Sequence, residues 1–128
     1  MRIILADHHV QALWALKSLL EEKPEFDLVG EAVDAQDLLS LAEKQTPDLV
    51  LVDRELPYDT IEDLIARLLA LKPRPIVMVM SSEIASTRLI LRAGADAFVS
   101  KVDDPAWLVE KLHTYARIGA RGDTNRNI

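Results

Sequence analysis

Apolar residues follow two alternating patterns along the chain. Short continuous runs, rich in branched side chains, are typical of strands that are buried on both faces of a parallel sheet. These runs occupy residues 3–6, 49–52, 76–80 and 97–99, and residues 26–30, which Asp27 interrupts, are a further strand candidate. Between them, apolar residues recur every three or four positions, which predicts amphipathic helices. Strands that alternate with helices in this way form a parallel sheet with helices on both faces, so the pattern predicts the α/β class.

Local signals predict where several helices begin and end. Asp59 or Thr60 can cap a helix, because a side-chain oxygen at this place accepts from the first free N–H groups. A further helix is expected over residues 84–93, with Gly94 in the left-handed position that follows a helix end.

The last helix and the tail differ in pattern. Pro105 fits the first turn of a final helix that we expect to end near Arg117. Residues 119–128 are polar and show no periodicity. We interpret them as a flexible tail, or the start of a linker to an output domain, after a single domain over residues 1–118.

Composition narrows the possible functions. The 128 residues contain no cysteine, which excludes disulfides, thiolate zinc sites and a cysteine nucleophile. A formal net charge of -6 and a pI near 5.0 argue against nucleic-acid binding by this domain. No apolar run approaches the roughly 20 residues that span a bilayer, and the apolar N-terminus is too short for a signal peptide. We therefore expect a cytoplasmic protein that binds neither nucleic acid nor a membrane.

Polar residues follow four of the five predicted strands. Asp7 and His8 follow the first, Asp53 the third, Ser81 the fourth and Lys101 the fifth. Any one of them could simply mark the place where a strand reaches the surface. Together they lie at the carboxyl edge of the sheet, where α/β proteins bind ligands. Carboxylates there can hold Mg²⁺ or accept a phosphoryl group, while lysine and serine contact phosphoryl oxygens.

The motifs at this edge resemble one known family. Residues 47–57 (PDLVLVDRELP), in which Asp53 ends the apolar run, are similar to the phosphoacceptor strand of the receiver domain of two-component response regulators. Residues 92–95 (RAGA), followed by Phe98 and Lys101, are similar to the approach to the family's lysine. These matches occur in the family's order along the chain.

The resemblance covers residues 2–117 and includes a branch signature. Residues 29–32 (VGEA) are similar to the branch in which a receiver precedes a DNA-binding helix-turn-helix domain, the NarL/FixJ type. The resemblance implies a flavodoxin-like (βα)5 three-layer sandwich with strand order 2-1-3-4-5, two helices on one face and three on the other. It also implies that a helix-turn-helix domain follows if the natural chain continues.

The resemblance assigns roles to the edge residues. Asp53 would accept a phosphoryl group from a histidine kinase, with Ser81 and Lys101 as its catalytic partners. Ser81 and Phe98 would then move and change the binding preference of the face formed by helix 4, strand 5 and helix 5. A homodimer could form through the same face.

The implied magnesium site departs from the family at His8. Mg²⁺ would be held by Asp7, Asp53 and Glu55, the last through its backbone carbonyl or its side chain. The family has a second carboxylate where His8 stands, and imidazole is a poor ligand for Mg²⁺. Three interpretations remain open: a damaged site, a His8 imidazolium that pairs with Asp53 in place of the metal, or a carboxylate lent by Glu55.

Three functions therefore compete. The main one is a receiver module that accepts phosphoryl at Asp53. The alternative is an atypical, phosphate-independent receiver that acts as a protein-interaction module because His8 replaces the metal-binding carboxylate. A metal-dependent phosphohydrolase is a distant third, and we otherwise expect no enzyme.

Two tryptophans occupy helical positions. We interpret Trp14 as core packing. Trp107, near the start of the last helix, would suit a docking surface if it is exposed.

Overall fold

The computed structural model describes residues 1–125, with side-chain surroundings described through residue 117. Five strands form one parallel sheet in the order β2-β1-β3-β4-β5. The strands are β1 (Arg2–Ala6), β2 (Asp27–Ala32), β3 (Leu49–Asp53), β4 (Ile76–Ser81) and β5 (Ala97–Ser100). The helices are α1 (Val10–Glu21), α2 (Ala35–Gln45), α3 (Ile61–Leu69), α4 (Thr87–Arg92) and α5 (Pro105–Asn125). The predicted flavodoxin-like fold and its strand order are confirmed.

The sheet separates two hydrophobic cores. Side chains of β3 alternate between them, as successive residues of a strand point to opposite faces. Leu49 and Leu51 pack with α1 and α5, whereas Val50 and Val52 pack with α2, α3 and α4. All four are fully buried, which explains why β3 is a continuous apolar run rather than an alternating one.

Side-chain caps begin two of the helices. Asp34 accepts a hydrogen bond from the Asp37 N–H at 2.8 Å, and Thr60 accepts one from the Asp63 N–H at 3.0 Å. Thr60 rather than Asp59 is therefore the cap of α3. Each such cap is worth about 1 kcal/mol.

Two helices differ from their predictions, one in the type of its first turn and the other in its end. The helix expected over residues 84–93 begins as a 3₁₀ turn at Ile84–Ser86 and continues as the short α4. Helix α5 passes the expected end near Arg117 and continues to Asn125. The interpretation of 119–128 as the start of a linker stays a prediction, and residues 126–128 lie outside the described part. Neither α5 nor any other helix in the described range is both long and apolar enough to cross a membrane.

The prediction that Trp14 belongs to the core is wrong. Leu13 and Leu20 form the buried side of α1, and the Trp14 side chain beside them is 70% exposed. Trp107 on α5 is 65% exposed. Both indole rings therefore lie on the surface.

Candidate functional site

Asp53 ends β3 at the carboxyl edge of the sheet, between β1 and β4. Its side chain is 1% exposed, and both of its oxygens have partners. Oδ1 accepts from the Glu55 N–H at 3.2 Å and lies 3.2 Å from Lys101 Nζ. Oδ2 lies 2.9 Å from Nδ1 of His8. The strand thus places a buried carboxylate where two side chains from other elements converge on it.

Asp7 provides a second buried carboxylate directly after β1. Its Oδ2 accepts a hydrogen bond from Lys101 Nζ at 2.7 Å, and its Oδ1 accepts one from the His9 N–H at 2.9 Å. Lys101 therefore bridges Asp7 and Asp53. Apart from histidines, it is the one cationic side chain of the described residues that contacts either carboxylate. Two carboxylates and one ammonium leave a net charge of -1 when the imidazoles are neutral.

The electrostatics favour the charged forms of Asp53 and Lys101. Burial alone would raise the pKa of Asp53, but the Glu55 N–H and the Lys101 ammonium outweigh it and hold that pKa below its usual value. Burial alone would lower the pKa of Lys101, but the Asp7 and Asp53 carboxylates outweigh it and raise that pKa. Both charges are present at neutral pH.

Two histidines complete the edge. The Nδ1 atom of His8 contacts Asp53, as the interpretation in which imidazole takes the place of the metal requires. The His8 side chain is 30% exposed. His9 is a site residue that sequence reasoning missed: its Nδ1 lies 3.6 Å from Asp7 Oδ1, and its ring centroid lies 3.8 Å from that of His8. The only available signal was that it follows Asp7 and His8 directly. The resulting group, called here the His–Asp cluster, has one possible ligand atom per residue, all within 4.8 Å of one another; it consists of Asp7, His8, His9 and Asp53.

The other residues expected at the site lie nearby without entering the cluster. Ser81 ends β4, is 1% exposed, and accepts a hydrogen bond from the Glu83 N–H at 2.9 Å. Glu55 contacts Asp53 through its backbone N–H, while its side chain is exposed. Phe98 is half-buried in β5 and packs against the core formed with α2, α3 and α4.

Only part of the donor set suits Mg²⁺. This ion takes oxygen ligands in a near-ideal octahedron. Asp7 and Asp53 offer such oxygens, but His8 presents a nitrogen at Asp53 Oδ2, where the family has a carboxylate. Two carboxylates together with two imidazoles are a donor set that first-row transition ions accept more readily.

The chain matches known receiver proteins along most of its length. The family model of the response regulator receiver domain matches residues 3–113. The nitrate/nitrite response regulator protein NarL of Escherichia coli (strain K12) is 31% identical over 118 residues, which cover 89% of this chain and 54% of NarL. The chain spans about half the length of the curated relatives that it matches first.

Solved structures agree with this match. A two-component response regulator of the LuxR family from Aurantimonas sp. SI85-9A1 superposes with a TM-score of 0.81 at 28% identity, covering 88% of this chain and 82% of that chain. A CheY-like receiver domain protein from Methanospirillum hungatei JF-1 has a TM-score of 0.84 at 24% identity, covering 94% and 97%, and it shares the fold. The resemblance of the sequence to the NarL-type branch is thereby confirmed, and the chain belongs to the response regulator receiver domain family.

Proposed function

We propose that this receiver domain accepts a phosphoryl group on Asp53 from a histidine kinase and acts as a cytoplasmic switch rather than as an enzyme. The observation that carries the proposal is the buried Asp53 carboxylate at the end of β3, with the Lys101 ammonium 3.2 Å from Oδ1. An ionised carboxylate is the nucleophile that forms an acyl phosphate. Its lowered pKa keeps it in that form at neutral pH.

The chain's own residues suit the transfer step. An Asp53 oxygen attacks the phosphorus of the donor phosphohistidine, the P–N bond breaks, and the donor imidazole leaves with the electron pair and takes up a proton. The Lys101 ammonium already contacts both carboxylates at this edge and can pair with the negative charge of the phosphoryl oxygens. The Ser81 hydroxyl accepts from Glu83 and can donate its hydrogen to the phosphoryl group.

The face formed by α4, β5 and α5 is the proposed output surface. Two hydrogen bonds hold helix α5 against this face. The Lys111 ammonium donates to the carbonyl of Phe98 in β5 at 2.7 Å, and the Tyr115 hydroxyl donates at 2.7 Å to the carbonyl of Asp96, the residue before β5. A groove of about 510 Å³ runs along this face and includes the exposed Trp107. Movement of Ser81 and Phe98 after phosphorylation would reshape the groove and change its preference for a partner or for a second receiver.

Mass spectrometry after incubation with acetyl phosphate and a divalent cation tests the proposal. The wild-type chain should gain one phosphoryl group, and Asp53→Asn should gain none. Asp48→Asn is the matched control, because Asp48 is an exposed aspartate at the opposite end of β3, and it should be phosphorylated like the wild type. Equal labelling of Asp53→Asn and the wild type would refute Asp53 as the acceptor.

A His8→Asp variant separates the proposal from the phosphate-independent alternative. This substitution restores the carboxylate that the family has at this place, so it should increase the rate of phosphorylation in Mg²⁺. The proposal fails if His8→Asp is phosphorylated while the wild type is not phosphorylated with any divalent cation. That outcome would favour the phosphate-independent interaction module.

A further inference from the structure

We propose that the His–Asp cluster binds a first-row transition ion, of the class of Zn²⁺ and Co²⁺, in a four-coordinate site. Receiver domains typically bind Mg²⁺ through acidic residues, so this chain would use the same edge of the sheet for a different cation. The inference concerns the unphosphorylated chain and stands whether or not Asp53 accepts phosphoryl.

The spacing of the ligand atoms suits a small tetrahedral ion. Zn²⁺ binds imidazole nitrogen and carboxylate oxygen at 2.0–2.2 Å, so neighbouring ligand atoms in a tetrahedron lie about 3.4 Å apart. In the chain, His8 Nδ1 lies 2.9 Å from Asp53 Oδ2, and His9 Nδ1 lies 3.6 Å from Asp7 Oδ1. The four possible ligand atoms lie within 4.8 Å of one another, so side-chain shifts of the order of 1 Å would complete the site.

The two carboxylates present different oxygens to Lys101 and to the histidines. Lys101 contacts Oδ2 of Asp7 and Oδ1 of Asp53. The imidazoles lie against the other oxygen of each carboxylate. An ion on the imidazole side can therefore bind without displacing Lys101.

Backbone donors hold the carboxylates in this orientation. The His9 N–H donates to Oδ1 of Asp7 at 2.9 Å, and the Glu55 N–H donates to Oδ1 of Asp53 at 3.2 Å. Partners of this kind orient metal ligands and commonly affect affinity. The proposed ligands are thus partly positioned before an ion arrives.

Charge and ligand type favour the same class of ion. The edge has a net charge of -1 with neutral imidazoles, so it attracts a divalent cation. Imidazole is a good ligand for Zn²⁺, Co²⁺ and Ni²⁺, whereas Mg²⁺ prefers oxygen alone. The partly exposed rings of His8 and His9 leave a route from solvent.

Calorimetric titration of the tag-free chain tests the inference. We expect one Zn²⁺ per chain, bound at least about 100-fold more tightly than Mg²⁺, in line with the affinity order of nitrogen-containing sites. Co²⁺ should give the intense visible absorption of a four-coordinate ion. Equal affinities for Zn²⁺ and Mg²⁺, or the weak absorption of octahedral Co²⁺, would overturn the proposal.

Variants show whether the cluster is the site. His8→Ala and His9→Ala should each weaken Zn²⁺ binding by about tenfold or more. His113→Ala is the matched control because the chain has only three histidines and His113 pairs with Glu25 instead, so its Zn²⁺ affinity should equal that of the wild type. Comparable losses in all three variants would mean general histidine binding and contradict the inference.

A change of preference gives the sharpest outcome. His8→Asp exchanges a nitrogen for an oxygen ligand, so it should weaken Zn²⁺ and strengthen Mg²⁺ binding. Asp7→Asn tests the carboxylates, with circular dichroism to verify the fold. Full Zn²⁺ affinity in Asp7→Asn would remove Asp7 from the ligand set and refute the four-ligand cluster. If Asp7→Asn does not fold, His9→Ala at an exposed position tests another of the four ligands, and full Zn²⁺ affinity there would refute the cluster as well.

Discussion

The two ends of the parallel sheet are stabilised in different ways. At the carboxyl end, Lys101 bridges two carboxylates that have almost no contact with solvent. At the amino end, charged residues pair near the surface: Arg74 with Asp96 at 2.9 Å, and His113 with Glu25 at 2.6 Å. The amino end also depends on backbone conformations in its turns.

This difference indicates where function lies. Exposed ion pairs contribute little because water screens them and solvates either partner when the other is removed. A buried, unbalanced group of charges costs free energy to assemble, so it is retained where a ligand or a reaction needs it. Variants that compare the two ends test this distinction.

Lys101→Met should have the largest effect on stability. It leaves two buried carboxylates without their ammonium and should lower the free energy of unfolding by about 3 kcal/mol. Arg74→Met breaks a pair at the amino end whose partners are 38% and 23% exposed, and it should cost less than about 1 kcal/mol. Urea denaturation followed by circular dichroism measures both. Equal losses would remove the contrast between the two ends.

Gly94→Ala should have the next largest effect. Gly94 precedes β5 with φ of 110°, and a Cβ there would lie 2.7 Å from Leu69 Cδ1. We expect a loss of about 1–2 kcal/mol from the left-handed backbone, together with the cost of the contact. Gly30→Ala, where the new Cβ meets Leu41 at 3.3 Å with no positive φ, should cost less.

Thr46→Asn should stabilise the chain slightly. Thr46 ends α2 in the left-handed conformation with φ of 43°, which a β-branched residue adopts at a cost and asparagine tolerates. A gain of about 0.5 kcal/mol is expected, visible as a higher urea midpoint. Thr46→Val keeps the branch and should give no gain.

Glu25→Gln should have the smallest effect, and only a pH dependence reveals it. The residue's own backbone N–H and then the His113 contact hold the pKa of Glu25 below its ordinary value of 4.5. Its contribution is therefore full above that value and is lost as pH falls through the lowered pKa. Thermal denaturation against pH should show a slightly flatter acid slope for Glu25→Gln. An unchanged slope would show that the pair contributes nothing.

The fold was predictable because hydrophobic periodicity and strand ends are local signals. The run before Asp53 identified β3, and the residues after four strands identified one edge. Periodicity could not tell that Trp14 lies outside the buried stripe of α1, since an apolar residue at the border of a stripe fits either side. The end of α5 was misplaced because glycine at 119 argues against a helix, whereas the helix continues past it.

The contacts within the site were less accessible to sequence reasoning. The chemistry of Asp7, Asp53 and Lys101 indicated an edge with buried carboxylates. Whether His8 faces Asp53 depends on the backbone after β1, which turns into α1 within a few residues. The same turn brings His9 back toward Asp7, a contact that no spacing rule indicates.

The exposure of both indole rings has a consequence for spectroscopy. Trp14 and Trp107 are 70% and 65% exposed in the folded chain, so their fluorescence already reflects water and should change little on unfolding. The same exposure makes each ring a local reporter, with Trp14 on the helix that begins beside the His–Asp cluster and Trp107 in the groove along α5. In a Trp14→Phe chain, Trp107 in the groove would be the only tryptophan. A partner that covers this surface would then shift the tryptophan emission to shorter wavelength, and no added label would be needed.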